Sequence, residues 1–359
     1  MTFQTSCNTS SDENGTNGIY ITDENSFYNK YLPAFNSSSK YMRIVMYLLG
    51  YPGNILTFLV WIRKPMLQSS GVYLATLAVS DLLFLSLDLP YSLHTEWSVY
   101  VLNVPVICEG FTVLYLAAQY MSPLLTLAFT TERYIAIKFP LRRRLYCTVK
   151  RAVCTSYCIA LTSLGLCGIQ GYFWSYDSTI GQCIRANNTD ELWEKWTWGT
   201  EMLMFLCVPL LILLLNILVI CEIQKSRKVA LTLNRILFRT NATTTMLLAV
   251  SFFLILTTLP VSIVYALYDY FPPGNLKHLT SIETDNNWQV HFQYYRARTV
   301  IYNIGLTHFF MNFYIYLFAG ERFRKEVLNV VKCKRSRSAI NRYRSETTKM
   351  ESFYSNDAV

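Results

Sequence analysis

Charged side chains are scarce in this sequence. Asp, Glu, Lys and Arg make up only 15% of its 359 residues, whereas a soluble domain carries roughly 25%. Hydrophobic residues make up 52%, so too few charges remain to cover the surface of a water-soluble domain. The composition therefore argues against a disordered chain, a secreted disulfide scaffold and a cytosolic enzyme.

Motifs for catalysis and metal binding are also missing. The sequence has no glycine-rich phosphate loop and no HExxH motif, and its four histidines are scattered along the chain. No repeat relates the two halves, which argues against a secondary transporter. We therefore expect no enzymatic activity, no metal site and no organic cofactor, and a sodium ion is the one small cation left to consider.

Long hydrophobic runs are what the sequence does contain. A run of about 20 residues has the length of a helix that crosses roughly 30 Å of hydrocarbon. Seven such runs occur, at about 44–62, 72–94, 106–137, 152–174, 197–223, 242–268 and 299–319. We therefore predict an all-α membrane protein with a seven-transmembrane helix bundle over 41–320. An N-terminal arm (1–40) precedes the bundle and a cytoplasmic tail (321–359) follows it.

The basic residues predict how the bundle is oriented. The formal net charge is +9, and 23 Lys and Arg collect on one set of alternating loops against 8 on the other. Basic loops stay in the cytoplasm, so we predict a plasma-membrane protein with an extracellular N-terminus and a cytoplasmic C-terminus. This distribution argues against nucleic-acid binding. Four glycosylation sequons fall on the predicted outer side, at Asn8, Asn14, Asn36 and Asn187.

Two of the ten cysteines are predicted to form a disulfide. Cys108 begins the third span and Cys183 lies in the loop between spans four and five, both on the predicted outer side. Two such thiols are expected to pair in an oxidising compartment. The bridge would pin that loop across the mouth of the bundle. Cys7 is left without an identified partner.

Polar residues inside the spans form a candidate internal site. A charge in hydrocarbon is costly, so Asp81 in span two indicates either a function or a specific partner. Asn54, Ser122 and Asn312 lie at comparable depth in spans one, three and seven. The four residues form either a site for a small cation or a structural network that satisfies its own polar groups.

Glu132-Arg133-Tyr134 ends span three at the predicted cytoplasmic face. An arginine beside a carboxylate is able to hold one conformation and release into another, which couples partner binding to a shift in populations. The alternative is an arginine that simply snorkels at a helix end. Prolines in spans two, five and six permit kinks that a moving bundle uses as hinges.

These motifs occur together in a fixed order. In order they are Gly-Asn in span one, LAVSD in span two, Cys108, Glu132-Arg133-Tyr134, a proline in each of spans five and six, and Asn312-Phe313-Tyr314-Ile315-Tyr316. The ordered set resembles the rhodopsin-like family of G-protein-coupled receptors over nearly the whole chain. The stretch FTTERYIAIKFPLRRRLYCTVKRA and the Asn-Phe-x-x-Tyr form are similar to invertebrate receptors for FMRFamide-type neuropeptides and their orphan relatives.

The resemblance implies an extracellular ligand pocket and a cytoplasmic G-protein site. Arg133 would contact the G protein when span six swings out, and Glu132, Tyr134, Asn312 and Tyr316 would complete the coupling switch. In peptide receptors of this family the loop between spans four and five is commonly a β-hairpin. We therefore expect a hairpin within 172–195.

Several positions depart from the family pattern. Thr258 stands where a tryptophan usually precedes the span-six proline, and Phe313 replaces the proline of the span-seven motif. Thr240 stands where some members have a glutamate that binds the span-three arginine. His308 replaces an asparagine that often completes the sodium site, which argues against sodium binding.

Two ligand classes of the family are excluded by single positions. Opsins need a lysine in span seven, and the matching residue here is Leu306. Aminergic receptors place an aspartate in span three, and the matching residue here is Tyr115. Neither retinal nor an amine transmitter fits this pattern.

The remaining candidate pocket follows from helical spacing. Thr112, Tyr115 and Gln119 share one face of span three. Asp88 lies about 10 Å outward from Asp81 on the inward face of span two. We predict that Asp88 anchors a cationic group of the ligand, and the alternative is a structural hydrogen bond to span three or seven. The other predicted wall residues are Glu201, Tyr265, Tyr268, Asp269 and Tyr302.

The chain after span seven predicts three cytoplasmic features. Phe323, Val327, Val330 and Val331 recur at helical spacing among basic residues, which is typical of an amphipathic helix on the inner membrane leaflet. Cys333 is a candidate palmitoylation site beside that helix. The Ser- and Thr-containing tail suits phosphorylation by a receptor kinase and recruitment of arrestin.

The sequence thus favours a receptor for an extracellular neuropeptide that signals through a heterotrimeric G protein. Aromatic walls with carboxylates suit an amidated peptide ending in Arg-aromatic, by ion pairing and cation–π contact. A receptor for a small non-peptide ligand is the alternative within the same fold. A seven-span transporter or a membrane enzyme is the alternative from another class.

Overall fold

Helices make up most of the structure, a computed structural model that describes residues 24–229, 234–273, 282 and 285–332. In chain order the helices are α1 (Glu24–Tyr31), α2 (Pro33–Trp61), α3 (Ser69–Thr95), α4 (Ile107–Lys138), α5 (Arg143–Tyr146), α6 (Val149–Cys167), α7 (Gln170–Phe173), α8 (Asp190–Met202), α9 (Val208–Val229), α10 (Asn234–Ala266), α11 (Asn286–Leu306), α12 (His308–Ala319) and α13 (Glu321–Val331). Strands β1 (Trp174–Asp177) and β2 (Gln182–Arg185) follow α7, and a π-helical turn (Leu203–Cys207) joins α8 to α9.

Seven helical segments form the bundle. Six of them are long and apolar enough to span a membrane: α2, α3, α4, α6 with α7, α8 with α9, and the Thr244–Ala266 part of α10. The seventh segment consists of α11 and α12, which are interrupted at Thr307. The predicted all-α bundle of seven helices is confirmed.

The helices extend beyond the hydrophobic runs that predicted them. The first segment begins at Pro33 rather than near residue 44, so the predicted boundary between arm and bundle at residue 40 lies inside a helix. The seventh segment begins at Asn286 rather than near residue 299. A hydrophobic run marks only the part of a helix that lies in the hydrocarbon. Backbone hydrogen bonding continues into the region above it, where the side chains are polar.

The central helix of the bundle is α4, which packs against α3, α6, α9 and α10. Around it, α2 packs between α3 and α12, and α10 packs against α9, α11 and α12. We call the end of the bundle that holds α1 and the β-strands the arm end, and the end that holds α13 the tail end. A buried aromatic cluster around Phe84, Tyr115 and Phe309 lies in the arm half, and a second cluster around Trp61, Phe129 and Tyr316 lies in the tail half.

The hairpin predicted within 172–195 is present. β1 and β2 pair antiparallel, with Tyr176 opposite Cys183. Cys183 is bonded to Cys108 at the start of α4, with 5.5 Å between their Cα atoms, as predicted. Asn103 also accepts a hydrogen bond from the Cys183 backbone N–H at 3.2 Å. The hairpin is therefore fixed against the arm end of α4.

Helix α1 is held against the arm end of α11 by aromatic side chains. Tyr28 stacks on Tyr295 with ring centroids 3.9 Å apart, and Phe27 packs against Trp288. The Tyr28 hydroxyl lies 2.8 Å from Nε2 of His291, whose Nδ1 lies 2.7 Å from the Phe271 carbonyl oxygen. Part of the predicted arm is thus a docked helix.

At the tail end, α13 is the amphipathic helix that the sequence predicted. Phe323 and Val327 are buried against the bundle, and Phe323 packs on Trp61 and Tyr316. Val331 is exposed. The salt bridge between Arg63 and Glu326 ties α13 to the segment after α2.

Candidate ligand cavity and tail-end switch

A cavity of two chambers opens at the arm end of the bundle. The wall of the outer chamber includes residues of α2, α3, α10 and α11. Its polar lining includes Asn36, Lys40, Arg43, Glu96, Arg298 and Asn303. The inner chamber reaches deeper between α4, α10 and the α11–α12 junction. Tyr265 and Tyr302 line both chambers, so the two chambers share one boundary.

The floor of the inner chamber is formed where the family motif is altered. Thr258 lines this chamber, together with His308 and Phe309 from α12. Thr258 donates its hydroxyl hydrogen to the Leu254 carbonyl at 2.7 Å. A small side chain at this position leaves room that a tryptophan would fill, and the chamber therefore extends to α12.

Four of the predicted wall residues line the cavity: Gln119, Glu201, Tyr265 and Tyr302. Tyr115 is buried behind the wall, where its ring stacks on Tyr91. Tyr268 lies on the arm-end side and contacts the Arg298 guanidinium. Thr112 is half-buried near the start of α4, outside the described lining of both chambers. The side chain of Asp269 lies outside the described residues.

Asp88 is fully engaged within the protein. Both of its carboxylate oxygens accept hydrogen bonds from Arg43 at 3.0 Å, and the hydroxyls of Tyr47 and Tyr115 donate to it at 2.8 and 3.0 Å. Arg43 also forms a salt bridge to Glu96 at 2.8 Å. The structure therefore favours the structural alternative for Asp88, with a hydrogen bond to span three, over a free anchor for a ligand.

Sequence reasoning missed Arg43, Arg298 and His308 as cavity residues. Arg43 was missed because the first hydrophobic run was taken to begin at residue 44, which placed the arginine just outside the first span. Arg298 was missed for the same reason at the start of span seven. A search for buried charges on longer helices would have found both, since α2 and α11 carry them inward.

Three of the four residues of the predicted internal polar cluster, Asp81, Ser122 and Asn312, lie together. Asn312 donates to the Asp81 carboxylate at 2.8 Å, and Ser122 lies beside the same carboxylate. Asn54 donates to the Phe309 carbonyl at 2.8 Å. All four side chains are buried. This arrangement satisfies part of the network internally, and binding of sodium there stays a prediction.

The Glu132-Arg133-Tyr134 motif contacts α3 at the tail end. Ser69 donates to the Glu132 carboxylate at 2.6 Å, and Arg133 donates to the Ser70 hydroxyl. Arg133 is only 7% exposed, so it does not snorkel into solvent. The two charged residues are thus held by neighbouring serines of one helix turn. The Tyr134 hydroxyl accepts a hydrogen bond from the Lys138 ammonium at 2.6 Å, and Tyr316 is buried in the core.

The predicted modification sites differ in how accessible they are. Asn187 is exposed in the loop after β2, whereas Asn36 is half-buried in α2 and accepts a hydrogen bond from Tyr295. Asn8, Asn14 and Cys333 lie outside the described residues, as does Cys7. Glycosylation and palmitoylation therefore stay predictions.

Comparisons with known proteins agree with this architecture. The sequence matches the family described as 7 transmembrane receptor (rhodopsin family) over residues 53–320. It is 26% identical over 305 residues to Probable C-C chemokine receptor type 3 of Mus musculus, an alignment that covers 79% of this chain and 75% of the relative.

Two further relatives match over shorter segments. Neuromedin-U receptor 2 of Rattus norvegicus is 37% identical over 111 residues, which is 30% of this chain and 28% of the relative. Growth hormone secretagogue receptor type 1 of Sus scrofa is 32% identical over 127 residues, or 34% of each chain. The aligned segments thus cover only about a third of the length of each of these two relatives. Together with the seven-helix bundle, the family match shows that this multi-pass membrane protein belongs to the rhodopsin family of seven-transmembrane receptors.

Proposed function

We propose that the protein is a plasma-membrane receptor for an extracellular peptide and that it signals through a heterotrimeric G protein. The observation that carries this proposal is the two-chamber cavity at the arm end. At the opposite end of the same bundle, Arg133 is hydrogen-bonded to Ser70 of α3. A ligand that changes the packing of α10 against its neighbours at one end would alter the exposure of Arg133 at the other.

In this proposal the arm end faces the outside of the cell. Basic loops are retained in the cytoplasm, and 23 Lys and Arg belong to the loops and tail of the opposite side. The disulfide supports the same orientation, because disulfides persist in oxidising compartments.

A peptide ligand is favoured by the layout of the cavity and by the relatives. Two chambers with a shared boundary, one behind the other at the arm end, suit a chain end that enters from above. Two relatives are named as receptors for neuromedin-U and for C-C chemokines, which are polypeptide ligands. An amidated peptide ending in Arg-aromatic is the specific candidate, since the cavity combines a carboxylate with aromatic walls.

The tail end of the molecule supports the signalling part of the proposal. Arg133 stands at the end of the central helix α4. At the same end of the bundle, α13 packs against α2 and α12 and carries basic residues that suit anionic lipid. A receptor kinase and arrestin are further proposed partners, through Ser and Thr residues beyond 332 that lie outside the described residues.

A G-protein activation assay in transfected cells tests the proposal. The receptor is exposed to a library of amidated peptides that includes Arg-Phe-amide sequences, and Arg133→Ala serves as the signalling-dead control. We expect at least one peptide to activate the wild type and to lose its effect in Arg133→Ala at equal surface expression.

The same assay decides between the proposal and its main alternative. Silence across the peptide library at good surface expression contradicts the peptide proposal. A response to small metabolites in the same cells would then establish the receptor for a small non-peptide ligand.

A further inference from the structure

The inner chamber is lined by hydrogen-bond acceptors that the described structure leaves without partners. Oε1 of Gln119 and Nε2 of His308 are buried and accept no hydrogen bond from any described residue. The Glu201 carboxylate lines the same chamber and is half-buried. Buried polar groups are normally satisfied, so two unpaired acceptors beside a carboxylate in one chamber point to a missing donor.

The protonation of His308 follows from its own hydrogen bond. Its Nδ1 lies 2.6 Å from the Gly305 carbonyl oxygen, which is able only to accept, so Nδ1 carries the hydrogen. Nε2 is then a bare acceptor in the neutral ring, whose side chain is only 4% exposed. An unpaired imidazolium in the bundle core would cost far more.

The two chambers carry opposite charge. Glu201 is the one residue with a formal charge at neutral pH among the described residues that line the inner chamber. The outer chamber is lined by Lys40 and Arg298 and by Arg43, which is paired with both Asp88 and Glu96. A cation is therefore favoured in the inner chamber over the outer one, and the low dielectric strengthens its attraction to Glu201.

We propose that the inner chamber is a subsite for a guanidinium or ammonium group of the ligand. The group donates hydrogen bonds to Glu201, Gln119 and His308, which together present more acceptors than a neutral amide could satisfy. Tyr265 and Tyr302 at the boundary and Phe205 and Phe309 in the wall supply aromatic faces for the same cation. This inference rests on the proposed function and names the part of the ligand that enters the deeper chamber.

Thermal stabilisation of the purified full-length receptor by two matched probes tests this subsite. Nα-acetyl-arginine amide carries the guanidinium, and Nα-acetyl-citrulline amide replaces it with a neutral urea of nearly the same shape. Each probe is titrated at roughly 1–10 mM, the range expected for a ligand of this size. We expect only the arginine probe to raise the midpoint of unfolding in the wild type.

Three variants assign the effect to the chamber. Glu201→Gln should weaken the arginine probe about tenfold, while Glu201→Asp keeps the carboxylate and should retain much of the preference. His308→Leu should weaken it to a smaller degree. Glu191→Gln is the matched control, since it removes an exposed carboxylate from the same helix, and should bind as the wild type does.

Two outcomes overturn the inference: equal stabilisation of the wild type by both probes, or an arginine preference that survives in Glu201→Gln. The measurement needs binding but no signalling, so it separates the two proposals. A Glu201-dependent preference together with a silent peptide screen would keep the cation subsite and reject the peptide receptor. A peptide response that is unchanged by Glu201→Gln would do the reverse.

Discussion

At the scale of single residues, the ion pair between Arg43 and Asp88 shows what the sequence alone could not decide. The sequence placed Asp88 on the correct inward face, because helical spacing is reliable inside a long span. It could not show that Arg43, 45 positions earlier in the chain, lies at the same depth in the bundle and forms hydrogen bonds to the Asp88 carboxylate. Contacts between distant helices depend on how far each helix extends, which hydrophobic runs do not reveal.

The first prediction concerns this pair. Asp88→Asn should lower the thermal unfolding midpoint of the detergent-solubilised receptor, because it leaves the buried Arg43 with one charged partner instead of two. Removing one partner of a buried pair costs about 3–5 kcal/mol, and Glu96 offsets part of that loss. Glu191→Gln in the exposed pair with Lys195 should change the midpoint little. An unchanged midpoint in Asp88→Asn would show that the pair is dispensable.

A second prediction concerns His291, which lies above the predicted seventh span. Burial lowers the pKa of His291 below its usual 6.5, and the charge of Arg298 acts in the same direction. The folded state thus favours the neutral ring. Its contribution is complete above pH of about 6.5 and is lost as the pH falls from there towards the lowered pKa. We expect hydrogen exchange in α1 to speed up as the pH is lowered, after correction for intrinsic rates.

His291→Gln provides the control for that measurement. The amide retains a donor and an acceptor but does not titrate, so the exchange of α1 should become independent of pH over the same window. If the pH dependence of wild type and variant is the same, another group controls the docking of α1.

At the scale of elements, the proline of the fifth helical segment is linked to the sixth segment by a hydrogen bond. Pro209 has no N–H, so the carbonyl of Phe205 lacks its helical donor, and Ser262 of α10 donates to that carbonyl at 2.5 Å. The sequence identified the proline but not its partner. The partner depends on the rotation of α10, which a hydrophobic run does not specify.

Ser262→Ala is therefore the third prediction. The variant leaves a buried carbonyl unsatisfied and should destabilise the receptor by about 1–3 kcal/mol, read as a lower unfolding midpoint. Ser262→Thr keeps the hydroxyl and should retain most of the stability. Equal midpoints for the alanine and wild-type receptors would mean that another donor, such as water, replaces the serine.

Element boundaries were the weakest part of the sequence analysis, and the reason is physical. The hydrophobic runs indicate which residues lie in the hydrocarbon, whereas α2 and α11 continue beyond it. Backbone hydrogen bonds and helix caps stabilise these extensions; at the start of α11, for example, Asp285 accepts a hydrogen bond from the Asn287 N–H at 2.8 Å. The hairpin, the disulfide and α13 were predicted correctly, because each rests on local spacing or on a shared family pattern.

At the scale of the whole molecule, Arg133 is held by α3 in the described conformation. Ser70→Ala removes its hydrogen-bond acceptor, so we expect higher ligand-free signalling in the G-protein assay at equal surface expression. A loss of about 1.4 kcal/mol from the held state raises the released population up to tenfold. Ser69→Ala, which affects Glu132 instead, distinguishes the two contacts. Unchanged basal signalling in Ser70→Ala would show that the contact does not restrain the receptor.

Phe309 connects the cavity to the interior of the bundle in a direct way. Its ring lines the inner chamber and stacks on Phe84 with centroids 3.7 Å apart, and its own carbonyl accepts the hydrogen bond from Asn54. The ring and the carbonyl are attached to the same Cα atom of α12. A ligand that pushes the backbone of α12 at Phe309 therefore also moves the acceptor of the Asn54 hydrogen bond, which connects ligand contact to the polar interior.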